Sequence, residues 1–100
     1  MRNTIEFDDY VFSVLMRDLV GHDRMPSAFL IYVHLTAESE KLGGRPVPAS
    51  HQTMAELTGL SKSAVQKSIR RLIGRKLLKA AKASPTATPQ YRVLHPWRRS

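Results

Sequence analysis

The sequence predicts a mainly α-helical domain with a small β-hairpin, an α+β fold. Four segments between residues 6 and 75 carry helical patterns, and an alternating segment near the C-terminus predicts a strand. Glycine, proline or serine stands between most of these segments, as at helix and strand boundaries. With 100 residues, 42% of them hydrophobic, the chain can form one domain around one core.

The first predicted helix spans residues 6–20 and has acidic residues in its first turn, where they favour the helix dipole. Its apolar face is formed by Phe7, Val11, Val14, Leu15 and Leu19. Phe12 and Met16 widen this stripe, so we expect the helix to be covered on more than one side. Gly21 is its expected end.

A second helix is predicted to begin at Pro26, which suits a first turn, and to end at Gly43–Gly44. Its predicted inner face consists of Phe29, Leu30, Val33, Leu35 and Ala37. The next segment, "RPVPAS", contains two prolines, which suit an edge strand or a lead-in to the next helix rather than a central strand.

The third and fourth helices are marked by their end residues. Ser50 and Ser61 are the predicted N-caps, and Gly59 stands where a left-handed residue would end the third helix. The fourth helix is predicted over 62–75, with an inner face of Val65, Ile69, Leu72 and Ile73.

Two strands are predicted after these helices, residues 77–82 and 90–95, joined by the turn-forming "SPTATP". The tail "PWRRS" is expected to be loose, except that Trp97 could pack back on the domain. Three helices followed by a hairpin is the winged-helix order, here with one extra helix in front.

A helix-turn-helix spacing runs through the third and fourth helices. A small residue lets the helices approach, a glycine four positions later permits the turn, and apolar residues fix the pair. These positions are occupied by Ala55, Gly59, Leu60, Ser61 and Val65. Met54 and Leu57 are expected to attach the third helix to the core.

Residues 45–97 resemble bacterial winged helix-turn-helix domains of GntR-type and replication-protein-type regulators. The resemblance rests on "VPASHQTMAELTGLSKSAVQKSIRRL", "KLL" and "YRVLHPW", and "PSAFLIYVHL" extends it back to about residue 26. It implies a winged-helix fold and sequence-selective binding of double-stranded DNA. The expected organisation is an N-terminal helical extension over 1–25, the winged helix-turn-helix domain over 26–97 and a basic tail over 98–100.

The charge is divided unevenly along the chain. Residues 1–44 contain four Lys/Arg and seven Asp/Glu, a net charge of −3. Residues 45–100 contain twelve Lys/Arg and one acid, a net charge of +11, and together they give the total of +8. A strongly basic half favours a polyanionic partner, most commonly nucleic acid.

The candidate DNA-binding residues lie mainly on the outward side of the fourth helix: Lys62, Ser63, Gln66, Lys67, Arg70 and Arg71. Gln66 can pair with adenine, and Lys67 or Arg70 can reach guanine acceptors. Ser61, Ser63 and the helix N-terminus suit phosphate contacts, and Gln52 and Thr53 could anchor the backbone.

Further phosphate contacts are predicted from the flanks of the hairpin, at Lys79, Lys82 and Arg92. The tip has no cation, so we expect little minor-groove reading. Lys76 is a departure from the family pattern, since it stands where such domains often have glycine, while Gly74 comes two residues early.

Other classes of site are poorly supported. The chain has no cysteine, and its four histidines are scattered without metal-ligand spacing. "GLSKS" lacks the glycine and lysine order of a phosphate loop, and the adjacent Asp8 and Asp9 would point apart on a helix. We therefore expect no enzymatic activity, no metal and no cofactor. No signal peptide or membrane-spanning run is recognised, which predicts a cytoplasmic protein without membrane contact.

The leading interpretation is a DNA-binding transcriptional regulator. A plasmid or phage replication or partition module is an alternative of the same class, and a protein- or RNA-interaction module is one of another class. Two interpretations of the first helix stay open: it completes the core, or it forms a homodimer contact through Phe7, Tyr10, Val14 and Met16.

Overall fold

A computed structural model describes residues 4–98 of the protein. Within this range the chain forms an N-terminal helix, three α-helices and a three-stranded antiparallel sheet, in the winged helix-turn-helix arrangement with an extra helix in front. The α-helices are α1 (Pro26–Lys41), α2 (His51–Thr58) and α3 (Lys62–Gly74), and the strands are β1 (Val47–Pro48), β2 (Leu78–Ala81) and β3 (Gln90–Val93).

The N-terminal helix has more residues per turn than the predicted α-helix. It consists of two π-helical stretches, Val11–Leu15 and Arg17–His22, in place of an ordinary α-helix. Val11, Leu15 and Leu19 are buried as predicted. Phe12 and Met16 are 44% and 42% exposed, and the Phe12 ring contacts Phe7 and Phe29 edge-on, so the expected second covering is only partial in the described chain.

Gly21 does not end the N-terminal helix. The helix continues to His22 because the backbone N–H of Asp23 donates to the carbonyl of Asp18 at 2.8 Å. The left-handed turn comes three residues after Gly21, at Arg24, with φ 53°.

Helix α1 forms the centre of the core. Ala28, Ile31, Tyr32 and Leu35 have no solvent exposure. The prediction for Leu30 is wrong: its side chain is 48% exposed, because the buried stripe runs through positions 28, 31, 32 and 35. The Tyr32 hydroxyl donates to the carbonyl of Leu94 at 2.8 Å, which joins α1 to the chain after β3.

The predicted caps of α2 and α3 are confirmed. Ser50 Oγ accepts from the N–H of Thr53 and Ser61 Oγ accepts from the N–H of Ala64, each at 3.0 Å. Gly59 adopts φ 82° and ends α2. These local bonds fix the turn between the two helices.

The inner faces of α2 and α3 are partly as predicted. Met54, Val65 and Leu72 are completely buried, and Ile69 nearly so. Leu57 and Ile73 were expected inside, but their side chains are 63% and 40% exposed. Ile73 lies on the side of α3 that faces Ala80 and Ala81, whose small side chains leave it partly open.

The sheet has the order β1–β3–β2, with β1 as the edge strand predicted from its prolines. Val47 pairs with Tyr91, and Leu78 pairs with Val93. The side chains of these four residues are buried and belong to the hydrophobic core.

The tail is held against the N-terminal helix as far as the structure describes it. Trp97 stacks on Tyr10, with ring centroids 4.6 Å apart, and its Nε1–H donates to Asp8. The Arg98 guanidinium also binds Asp8, so the expected loose tail is wrong at this residue. Residues 99 and 100 of the predicted basic tail lie outside the described residues.

Candidate nucleic-acid interface

Helix α3 presents a polar face directly opposite its core contacts. Val65, Ser68, Ile69 and Leu72 are buried, at spacings that keep them on one side. All six residues predicted on the outward side are exposed: Lys62, Ser63, Gln66, Lys67, Arg70 and Arg71. The buried residues therefore fix the direction in which these side chains project.

The cations of this face form no salt bridge in the described part of the chain. Within residues 4–98, none of Lys62, Lys67, Arg70 and Arg71 has a carboxylate oxygen within 4.0 Å. The four positive charges repel one another, and a bound polyanion would relieve this repulsion. The surface is electrostatically suited to phosphate.

The start of α3 offers hydrogen-bond donors. Ser61 Oγ already accepts from the N–H of Ala64, but its own O–H proton remains able to donate. Ser63 is exposed beside it. The N-terminal end of the helix dipole adds positive potential at the same place.

Residues from three elements meet beside this helix start. Gln52 of α2, Lys62 of α3 and Lys82, which directly follows β2, line one cavity of about 330 Å³. Gln52 Nε2 donates to Glu56, and Lys82 Nζ donates to the carbonyl of Pro85 at 3.3 Å. The structure therefore brings together three of the predicted residues that are distant in sequence.

Thr53 has a capping role that the sequence analysis did not anticipate. Its backbone N–H and its hydroxyl oxygen both engage Ser50, at 3.0 and 2.9 Å. Its side chain is exposed at the start of α2, but it does not line the cavity shared by Gln52 and Lys62.

Lys79 and Arg92 occupy a different surface. They pair directly across β2 and β3, on the exposed face of the sheet, opposite to the face with Leu78 and Val93. With Pro46, they line a small cleft that shares no residue with the cavity at Lys82. The structure thus divides the predicted flank contacts of the hairpin between two faces.

The backbone conformation of Lys76 shows why glycine would be expected at this position. Its φ of 60° is left-handed, the conformation that glycine adopts most easily. The helix ends at Gly74, one residue before the predicted boundary. The N–H groups of Lys76 and Leu77 then bond to Ile73 and Leu72, so the turn into β2 forms with a lysine in the glycine position.

Sequence reasoning missed Arg75, which is part of the same surface. Its Nε and Nη2 each donate to the Asp23 carboxylate at 2.8 Å. These hydrogen bonds hold the pKa of Asp23 well below its usual range and raise the pKa of Arg75. No local signal could have shown this pair, because its members are 52 positions apart.

The described residues contain neither a group of metal-ligand side chains nor a membrane-spanning helix. Between residues 4 and 98, no three His, Cys, Asp or Glu side chains are grouped as metal ligands would be. None of the helices in the same range is long and apolar enough to cross a membrane.

The comparison with protein families agrees with this geometry. A family model described as a helix-turn-helix domain matches residues 25–78, from the residue before α1 to the first residue of β2. No curated protein and no solved structure matches the chain. The match covers more than half of the chain and includes both helices of the motif, and the protein therefore belongs to the helix-turn-helix domain family.

Proposed function

We propose that the protein is a transcriptional regulator that binds double-stranded DNA sequence-selectively, with α3 in the major groove. The observation that carries this proposal is the exposed face of α3, where four cations without acidic partners surround Gln66 and Ser63. An α-helix fits the major groove, which is about 12 Å wide. We also propose that the protein is located in the cytoplasm and binds DNA there.

Base reading is assigned to the middle of α3. Gln66 can form two hydrogen bonds with one adenine, and Arg70 can donate two hydrogen bonds to one guanine. Both side chains are exposed and neither forms a hydrogen bond within the described chain. Lys62, Lys82 and Gln52 would hold the backbone on the side of the hairpin.

We further propose that the protein acts as a homodimer. Phe12, Met16 and Val20 follow at four-residue spacing along the N-terminal helix, and all three are exposed. Tyr10 is a weaker candidate than the sequence suggests, because its ring stacks on Trp97. A two-fold dimer would present two copies of α3 to an inverted repeat.

Selection of bound sequences from random duplexes tests the function. We expect enrichment of one motif, and a second inverted copy if the dimer forms. Titration of the selected duplex at several salt concentrations should give a log K that falls by about 0.9 per phosphate contact for each unit of log salt. The absence of duplex binding even at low salt would refute the proposal.

A further inference from the structure

Another cavity lies on the side of α3 away from the hairpin. It has a volume of about 540 Å³ and opens between the second half of α3 and the segment that leads into α1. It is lined by Met25, Lys67, Arg70, Arg71, Gly74 and Arg75. We call it the cationic cleft.

The cationic cleft and the cavity near the hairpin lie against different sides of α3. Lys67, Arg71 and Gly74 follow at four- and three-residue spacing and line the cleft. Lys62 lines one cavity on the hairpin side, and Ile69 and Ile73 line the other. The cationic cleft therefore lies on the side of α3 away from the hairpin and includes Arg70 of the outward face.

The cleft carries an excess of positive charge, since one carboxylate, Asp23, lies beside its four cations. Arg75 is neutralised by Asp23, whose side chain is 5% exposed and has both oxygens engaged. Lys67, Arg70 and Arg71 have no carboxylate within 4.0 Å in the described chain. Three like charges on one wall favour a bound anion.

The segment opposite α3 contributes two further features. Met25, the residue before α1, lines the cleft and has no side-chain hydrogen bond to the start of the helix. Next to it, Arg24 is exposed with a φ of 53°, a position where glycine would cost less. An arginine kept in a strained conformation beside a basic cleft points to a task for its side chain.

We propose that the cationic cleft binds backbone phosphates of one DNA strand on the flank of the major groove away from the hairpin, and that Arg24 is an additional phosphate contact. The proposal rests on the duplex binding proposed above. Since the cleft and the outward face of α3 share Lys67, Arg70 and Arg71, a duplex seated on that face brings a phosphate strand to the cleft. The DNA interface would then include the segment before α1.

Arg24→Gly and Arg24→Asn separate this role from a purely structural one. Glycine and asparagine both tolerate the left-handed conformation, so each variant should unfold thermally at a temperature at least as high as that of the wild type. Affinity for the selected duplex should fall about fivefold at 0.15 M salt, and the slope of log K against log salt should become shallower by about 0.9. The preferred base sequence should not change, because phosphate contacts carry no sequence information.

Arg17→Ala is the matched control, since Arg17 is an exposed cation of the N-terminal helix that does not line the cleft. It should bind DNA like the wild type. If the Arg24 variants bind the duplex with wild-type affinity and salt slope, the inference is overturned while the proposed function stands. If the wild type binds no duplex, the proposed function itself fails.

A free phosphate ion is the competing source of the same chemistry. Thermal unfolding of the wild type and of Arg71→Ala in sodium phosphate and in sodium chloride at equal ionic strength distinguishes the two, because the general stabilising effect of phosphate is common to both proteins. Greater stabilisation of the wild type than of Arg71→Ala by phosphate, together with Arg24 variants that keep full DNA affinity, would assign the cleft to a free anion and overturn the inference.

Discussion

Arg75 and Asp23 join the end of α3 to the segment before α1 through two parallel hydrogen bonds, each of 2.8 Å. The Asp23 side chain is almost completely buried, and Arg75 is 30% exposed. This pair joins the end of α3 to the end of the N-terminal helix.

Asp23→Asn should destabilise the fold. An amide can accept only one of the two hydrogen bonds from Arg75 and leaves the guanidinium without its counter-charge, so we expect a loss of about 1–3 kcal/mol in the free energy of unfolding. Urea denaturation measures it. Asp9→Asn, at an exposed carboxylate of the N-terminal helix, is the control and should change stability little. Equal stability of the two variants would show that the pair contributes nothing.

Gln66→Ala and Arg70→Ala should relax base preference, each at a cost of about 1–3 kcal/mol for the selected duplex and much less for a scrambled one. Lys82→Ala, at the cavity near the hairpin, should weaken binding to both duplexes alike. Fluorescence anisotropy with both duplexes measures the difference. If the ratio of the affinities for the selected and the scrambled duplex is the same in all three variants, the division into base and phosphate contacts is wrong.

Lys76→Gly should stabilise the protein by about 0.5–1 kcal/mol, because glycine relieves the cost of a left-handed lysine but loses more entropy on folding. Lys67→Gly is the contrasting variant: it removes the same side chain within α3 and should destabilise by about 1 kcal/mol. Chemical denaturation compares the two. Destabilisation by Lys76→Gly would mean that the lysine side chain has a stabilising contact of its own.

Acid should release the tail from the N-terminal helix. Hydrogen bonds from Arg98 and then Trp97 lower the pKa of Asp8 to about 2, so the folded pKa is below the unfolded value of about 3.9. The stabilisation is then complete above the unfolded pKa and is lost as the pH falls towards about 2. Trp97 is the single tryptophan, and its fluorescence should change within this interval.

Asp8→Asn serves as the control for the acid experiment, because it removes the titrating group. Its fluorescence should be nearly constant from pH 4 to about 2. A wild-type signal that changes only together with global unfolding, in both proteins, would contradict the release of the tail alone.

Met16→Asp should convert a dimer into a monomer. The exposed Met16 lies between Phe12 and Val20 on the apolar side of the N-terminal helix, where a carboxylate could not be buried without a partner. Light scattering at micromolar concentration gives the mass. Ser13→Asp, at an exposed polar position of the same helix, introduces the same charge without removing an apolar side chain and should leave the dimer intact. A monomeric wild type would exclude the proposed contact.

The features that the sequence predicted well depend on a few neighbouring residues. Ser50 and Ser61 cap their helices with bonds three positions away, and Gly59 takes its left-handed turn from its own backbone freedom. The order of helices and strands followed from such signals. So did the direction of α3, because its buried and exposed residues alternate with helical period.

The features that could not be predicted from the sequence depend on contacts between residues that are far apart along the chain. Leu30, Leu57 and Ile73 continue apolar patterns, yet which members of a pattern are covered is decided by the neighbouring elements. Arg98 meets Asp8 across 90 positions. The separation of Lys79 from Lys82 depends on where β2 ends, since alternation along a strand decides which face each side chain occupies.

The pairing of Lys79 with Arg92 has a consequence for aggregation. Two like charges opposite each other disfavour the hairpin locally. They also place cations next to the free edge of β2, while the other edge is only two residues long and contains Pro48. A strand of another molecule that approached either edge would meet charge or a missing N–H, so the exposed hairpin is protected from sheet extension.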